Sequence, residues 1–244
     1  LLALVHPLAT FCLHVAVLYL TVGFRQFSHA FTEIQLALAT GDVAGARRSL
    51  ERWVREQDPS FPGGDGSVAD LCRLAISNAL VASHRHVFGP LFWYILLPGA
   101  VGPVLYRMSE MVARRWSRPG EVYGEFAGWA YRTLDWLPLR LSATGFAIVG
   151  NFEDAVYAWR GAVAAGTGAD QRALLLAAGG GALGLRIADP ELEARWSTSD
   201  AGYEWQGAEP GSDSLRGAVG LVWRSVVLWV ALFALLTVAA WLGR

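Results

Sequence analysis

Two long apolar runs frame this chain. Residues 1–24 carry no charged group beyond what His6 and His14 can hold, and residues 219–242 carry only Arg224. A helix rises about 1.5 Å per residue, so either run is long enough to cross a hydrocarbon layer of roughly 30 Å. The bulk numbers point the same way. Of 244 residues, 54% are hydrophobic and 17% are charged, with mean hydropathy +0.34. Ordinary soluble domains carry about 25% charged residues. The 11 Trp, 11 Phe and 7 Tyr exclude a disordered chain. The expected fold is an all-α integral membrane protein: transmembrane helices, a proline-broken segment that either spans or re-enters, and cytoplasmic amphipathic helices.

One membrane domain covers 1–244. Residues 1–24 read as a transmembrane helix. The alternative, a signal peptide, lacks a basic start and a small-residue cleavage site. Residues 25–66 read as a cytoplasmic helical hairpin broken at Gly41-Asp42, its second helix placing Val43, Ala46, Leu50, Trp53 and Val54 on one face. Residues 67–108 comprise an amphipathic helix running to Arg85 and a broken membrane segment with Gly89-Pro90, Pro98-Gly99 and Gly102-Pro103. Proline removes a backbone donor, and broken backbone at membrane depth must be shielded by protein or water. This segment either spans with a kink or re-enters. Residues 109–188 form a helical region: a helix to Leu134, Asp135–Leu141 leading into an apolar helix, and a small-residue stretch with Gly179-Gly180-Gly181. Residues 189–218 are a polar connection, and 219–242 the last transmembrane helix. The chain starts at Leu1, already inside an apolar run, which reads as a sequence lacking its N-terminal part.

All 20 basic residues are arginine. Without lysine there is no Schiff base and no P-loop lysine. Net charge is −1, which does not support a global basic surface for nucleic acid. If 87–108 re-enters, nearly all the arginines face one compartment, as the positive-inside tendency requires. The expected location is a bacterial inner membrane with its polar regions mainly cytoplasmic. Cys12 and Cys72 belong to no metal or redox motif and read as packing residues.

The chemistry-bearing candidates are few. His84-Arg85-His86 stands where a polar helix meets the membrane. Histidines two apart point to different helix faces and make a poor metal pair, so the cluster reads as surface or interfacial, with Arg85 able to face a phosphate. Arg85, Arg107, Arg140, Arg186 and Arg224 each lie beside membrane-grade sequence, where a guanidinium snorkels to headgroups or meets an anion. Asp135 and Arg140 flank Pro138 and are expected to form one structural unit. Glu153 and Asp154 are expected to cap the next helix. The glycine run lacks the Lys-Ser/Thr ending of a P-loop and reads as a close helix-packing surface. No metal site is expected.

His84-Arg-His-Val-Phe-Gly-Pro90-Leu-Phe-Trp-Tyr94, followed by Pro98-Gly99 and Tyr106, resembles the CobD/CbiB family of membrane cobinamide-phosphate synthases. Gly41-Asp42 with Ala46-Arg47 has the family's order. Asp135-Trp-Leu-Pro138-Leu-Arg140-Leu141 is similar to its Asn-x-x-Pro-x-Arg-Leu stretch. Ala178–Arg186 is similar to its Ala-Gly-Ala-Leu-Gly-x-Arg stretch. The resemblance covers nearly the whole chain, without the family's N-terminal region.

It departs where the family carries acids. The helix before Pro90 has Ser77-Asn78, Val81-Ala82 and Arg85 where the family has Glu-Ser, Glu-Asn and Asp. An acid-free helix offers Mg²⁺–ATP no carboxylates and an attacking amine no base. The Asp-Trp-x-Pro-x-Arg-Leu stretch and an arginine at the place of Arg85 are similar to the AmpE branch, whose members are inner-membrane accessories linked to β-lactamase induction.

The resemblance therefore implies an AmpE-like, non-amidating protein with an anion pocket lined by Arg47, Arg85, Arg140 and Arg186, and Pro90, Pro98, Gly99, Asp135 and Pro138 as structural residues. The alternative is the synthase, an amide ligase of cobalamin biosynthesis joining aminopropanol or its phosphate to a corrinoid carboxyl with ATP and Mg²⁺. A transporter would show an internal repeat, and none is found. Expected partners are the lipid bilayer, a phosphate-bearing small molecule or corrinoid, and a second copy or another membrane protein.

Overall fold

The computed structural model describes residues 12, 14–17, 24–58, 61–63, 66–97, 100–116, 122–164, 166, 170–187 and 207–243. Helices form all its regular structure, and the one β-bridge among the described residues joins Leu185 to Ala208. We number the helices α1 (Phe24–Ala39), α2 (Val43–Gln57), α3 (Val68–Ser83), α4 (Gly89–Leu96), α5 (Val101–Trp116), α6 (Val122–Val149), α7 (Phe152–Ala164), α8 (Gln171–Leu183) and α9 (Ser214–Leu242). A π-helical turn, His84–Phe88, joins α3 to α4. The chain divides into two compact units. One comprises 1–24 and 84–141, the other 25–83 and 142–244.

The larger unit begins with the α1/α2 hairpin. Gly41 turns the chain at φ +78°, a left-handed conformation that L side chains rarely adopt. Asp42 then caps α2, its Oδ1 accepting from the Gly45 amide at 2.8 Å. Ala46, Leu50, Trp53 and Val54 are buried, as their spacing predicts. The expected amphipathic helix takes a different form. From Leu71 to Ser83, α3 is buried on nearly every side, with only Arg73 and Leu74 partly open. It packs against α2, α8 and α9, which leave little of it to water.

The glycine run is a packing surface. A Cβ on Gly181 would lie 2.5 Å from Ala155 Cα, and one on Gly179 would lie 2.6 Å from Leu80 Cδ1. The glycines thus let α8 approach both α7 and α3. Asn151 Oδ1 accepts from the Asp154 amide at 3.3 Å, and its amide nitrogen donates to Asp154 Oδ2 at 2.6 Å. The cap of α7 is therefore Asn151, and Asp154, expected as a cap itself, instead holds the Asn151 side chain in place. In α9, Leu215, Ala218, Val222, Ser225 and Trp229 are buried at alternating three- and four-residue steps. Beyond Trp229 that packing ends. α9 is the one described helix long and apolar enough to cross a membrane, and only 11% of its most apolar stretch is buried.

The smaller unit holds α4, α5 and most of α6. α4 and α5 pack together on either side of the proline-broken connection; Pro98 and Gly99 lie outside the described residues, as does most of the run 1–24. His14 Nδ1, from that run, meets Tyr94 Oη at 3.2 Å. Sequence divides 122–149 at Asp135–Leu141, but α6 runs through as one helix of 28 residues with Pro138 inside it. An interior proline costs a helix about 3 kcal/mol. Burial of Pro138 and Leu139 helps hold the two halves in line.

Candidate functional site

The smaller unit contains a buried polar cluster built from three elements. The π-turn supplies His84, Arg85 and His86. α5 supplies Tyr106, Arg107, Glu110 and Arg114, and α6 supplies Tyr131 and Asp135. Tyr106 with Glu110, and Tyr131 with Asp135, are each four apart, so each tyrosine and acid share a helix face. α4 comes close enough to seat Tyr106 because residue 89 is glycine: any Cβ there would overlap the Tyr106 ring.

Asp135 is the hub. It is 3% exposed, and its Oδ1 lies 2.8 Å from His84 Nε2 and accepts from Tyr106 Oη at 2.7 Å. Tyr106 Oη also lies 3.4 Å from Tyr131 Oη. Burial alone raises the Asp135 pKa. His84, the Tyr106 hydrogen bond and the Arg85 charge together bring it below the ordinary carboxylate value. Glu110, 2% exposed, is the second buried acid. It accepts from Arg107 at 2.9 Å and pairs with Arg114 one turn on. Both buried carboxylates are therefore engaged.

Arg85 differs from its neighbours. It lies among Tyr131, Glu110, Tyr106 and Asp135. Burial disfavours its charge, but those four groups outweigh burial and raise its pKa, so the guanidinium stays ionised. Among the described residues it donates no hydrogen bond and forms no ion pair within 4.0 Å. His86 lies beside it. Burial, then the charges of Arg107, Arg114 and Arg85, brings the His86 pKa down to about 3. Its Nδ1 is sealed from solvent without a hydrogen-bond partner, as are Trp93 Nε1 and, in the larger unit, Asn78 Nδ2.

The four arginines of the expected anion pocket fall in different surroundings. Arg85 and Arg140 belong to the smaller unit, Arg47 and Arg186 to the larger. Arg47 donates to Gly66 O at 2.6 Å and edges a cavity of about 130 Å³ lined by Leu50, Phe61, Leu71 and Leu74. Arg186 is exposed, and its carbonyl accepts from Arg73 at 3.3 Å. Arg140 lies 4.0 Å over the Trp136 ring and donates to the Trp136 carbonyl at 2.9 Å. The expected Asp135–Arg140 unit therefore takes another form, because Asp135 faces inward to His84 and Tyr106 while Trp136 is exposed. Pro90 is buried at the start of α4.

His84 is 2% exposed, which overturns a surface place for the histidine cluster. Its acidic partner lies 51 residues away, out of reach of any spacing argument. Tyr106, Tyr131 and Glu110 were missed as site residues. Their one sequence signal is the repeated Tyr-x-x-x-acid spacing. Among the described residues no three His, Cys, Asp or Glu side chains group so as to hold a metal ion. With Asp135 and Glu110 both engaged, and no acid on α3 after Asp70, this cluster does not fit Mg²⁺–ATP.

Residues 5–177 match the family model for AmpE, described as a regulatory signalling modulator protein. A protein of Chromobacterium violaceum named cobalamin biosynthesis protein CobD is 32% identical over 232 residues, covering 93% of this chain and 71% of the relative. A protein of the same name from Stutzerimonas stutzeri is 30% identical over 225 residues, covering 88% of this chain and 70% of the relative. No solved structure matches. With a family model matched over most of its length and relatives aligned along nearly all of it, the chain belongs to the CobD/CbiB superfamily and is related within it to AmpE.

Proposed function

We propose that this chain serves cobalamin biosynthesis from within a bacterial inner membrane, at the step that forms an amide between a corrinoid carboxyl and aminopropanol or its phosphate. The observation that carries this reading is identity of 32% and 30% to two proteins named for cobalamin biosynthesis, along 93% and 88% of the chain. It is the reading that the sequence alone ranks second. Membrane residence is supported by the bare outer half of α9 and by the apolar run at 1–24. The buried cluster contributes an ionised Arg85 beside two tyrosines. Activation of the carboxyl by a metal–nucleotide is assigned to no residue here.

A second reading has its own observation. The family-model match is to AmpE, and both buried acids of the cluster are already paired. This favours a non-amidating accessory that binds an anionic ligand without turning it over. Expression in a synthase-null strain separates the two. Restored corrinoid amidation supports the first reading. Failure, with the protein present in the membrane fraction, leaves the second.

A further inference from the structure

We propose that Arg85 and His86 form a binding site for a small oxyanion, a carboxylate or a phosphate, in the smaller unit. The inference deepens the reading of Arg85 as an anion ligand and rests on it. Arg85 is half-buried and ionised, yet among the described residues its donors meet no acceptor. The neighbouring acids favour its charge but make their hydrogen bonds to other groups. Asp135 Oδ1 is shared by His84 and Tyr106, and Glu110 is held by Arg107 and Arg114.

Arginines and carboxylates alone leave the cluster unbalanced. Arg85, Arg107 and Arg114 stand against Asp135 and Glu110, an excess of one positive charge. The neighbours hold the Arg85 charge, but its N–H donors have no acceptor among the described residues, and an anion is the partner that supplies one. None of the Arg85 nitrogens is among the sealed, unpartnered atoms, so its fork remains open to an incoming group. A carboxylate or phosphate matches that fork with two parallel hydrogen bonds. His86 supplies the second contact. Its ring is neutral at physiological pH, and its unpartnered Nδ1 can carry the proton and donate it. Arg47 and Arg140 take no part, since one donates to the Gly66 carbonyl and the other stacks on Trp136; Arg186 is an exposed residue of the larger unit.

The test uses the full chain in phosphatidylcholine nanodiscs at constant ionic strength, with chloride as the balancing ion. Binding is read by calorimetry and by the shift in melting temperature. Inorganic phosphate and acetate are the soluble probes, and phosphatidylglycerol replaces part of the lipid in a third arm. Saturable binding in any arm is expected to fall roughly tenfold in Arg85→Lys, which keeps the charge and loses the fork, and to vanish in Arg85→Gln. His86→Phe is expected to weaken it, and Arg140→Gln to leave it unchanged. The arm that responds identifies the source as phosphate, carboxylate or lipid headgroup. Retained binding in a folded Arg85→Gln, or no binding in every arm, overturns the proposal. Complementation reads turnover and this titration reads one arginine. A chain that fails the first and passes the second keeps this inference and loses the amide-forming one.

Discussion

Tyr106 donates its hydroxyl proton to Asp135 at 2.7 Å, on the same carboxylate oxygen that His84 Nε2 approaches at 2.8 Å. Two elements far apart in sequence are thereby tied to one atom of α6. The Tyr106 ring reaches it only because Gly89 leaves room on α4. Tyr131, Glu110 and Tyr106 favour the charge of Arg85, and the same carboxylate adds a smaller contribution in that direction.

Tyr106→Phe removes one buried hydrogen bond and leaves the Asp135 oxygen still served by His84. The expected loss is about 1–2 kcal/mol, read as a lower midpoint in denaturant or heat. Asp135→Asn keeps an acceptor but strips the negative charge from beside Arg85, and is expected to cost more, about 3–5 kcal/mol. The double variant should cost less than the two summed, with a coupling of roughly 0.5–3 kcal/mol. Strict additivity would mean that the two residues do not act through one contact.

The glycines of α8 and α9 separate packing from propensity. Gly181→Ala places a methyl 2.5 Å from backbone atoms of α7, which cannot step aside, and is expected to destabilise by about 1–3 kcal/mol. Gly220 lies inside α9 with nothing within 4 Å of a built Cβ. Gly220→Ala is expected to be neutral or to stabilise by up to about 1 kcal/mol through helix propensity. Equal effects in a thermal melt would contradict the close approach of α8 to α7.

The helices were legible where apolar spacing is regular, and the site was not. Ala46, Leu50, Trp53 and Val54 announce the buried face of α2, and the Gly179–Gly181 run announces a close packing surface. Burial of α3 was hidden, because its serines, asparagine and alanines read as a polar face until three other helices cover them. Pro138 reads as a break, since propensity says nothing of the packing that carries a helix through it. The His84–Asp135 contact lies beyond any local rule, and the π-turn shifts the histidines off the face that ordinary helical spacing assigns them. Arg85 was picked out by its apolar surroundings. Nothing in the sequence separates it from Arg47 and Arg140, which already have partners, or from Arg186, which is exposed.

Acid should loosen the fold through His86. Its folded pKa of about 3 lies below the roughly 6.5 of an unfolded histidine. Below that upper value the unfolded chain binds the extra proton and the folded chain does not, so stability falls as pH drops from about 6.5 towards 3. The slope approaches 1.4 kcal/mol per pH unit at most. Asp135, also depressed, acts in the same direction but only below the ordinary carboxylate range. The groups facing His86 are Arg107, Arg114 and Arg85, and all stay charged across this window. His86→Gln should flatten the melting temperature between about pH 6.5 and 4.5 while leaving the steeper loss below it. An unchanged profile would place His86 in contact with water or an acid.

The two halves of α9 should answer differently to one inserted charge. Leu221 is fully buried in the larger unit, and Leu221→Asp is expected to unfold it, since an unpaired carboxylate there has neither partner nor water. Leu235 is 67% exposed, beyond Trp229, the last buried residue of the helix. Leu235→Asp removes no internal contact of comparable worth, so the unit should melt as the parent does in detergent. Its cost appears against lipid, at about 3 kcal/mol for an acid deep in a spanning helix. The measurements are the detergent melting midpoint and the fraction retained in membranes after alkaline carbonate extraction. Leu221→Asp should fail the first. Leu235→Asp should pass the first and lose retention in the second. If Leu235→Asp instead melted early and stayed in the membrane, the outer half of α9 would be packed against protein, and its role as a membrane span would have to be given up.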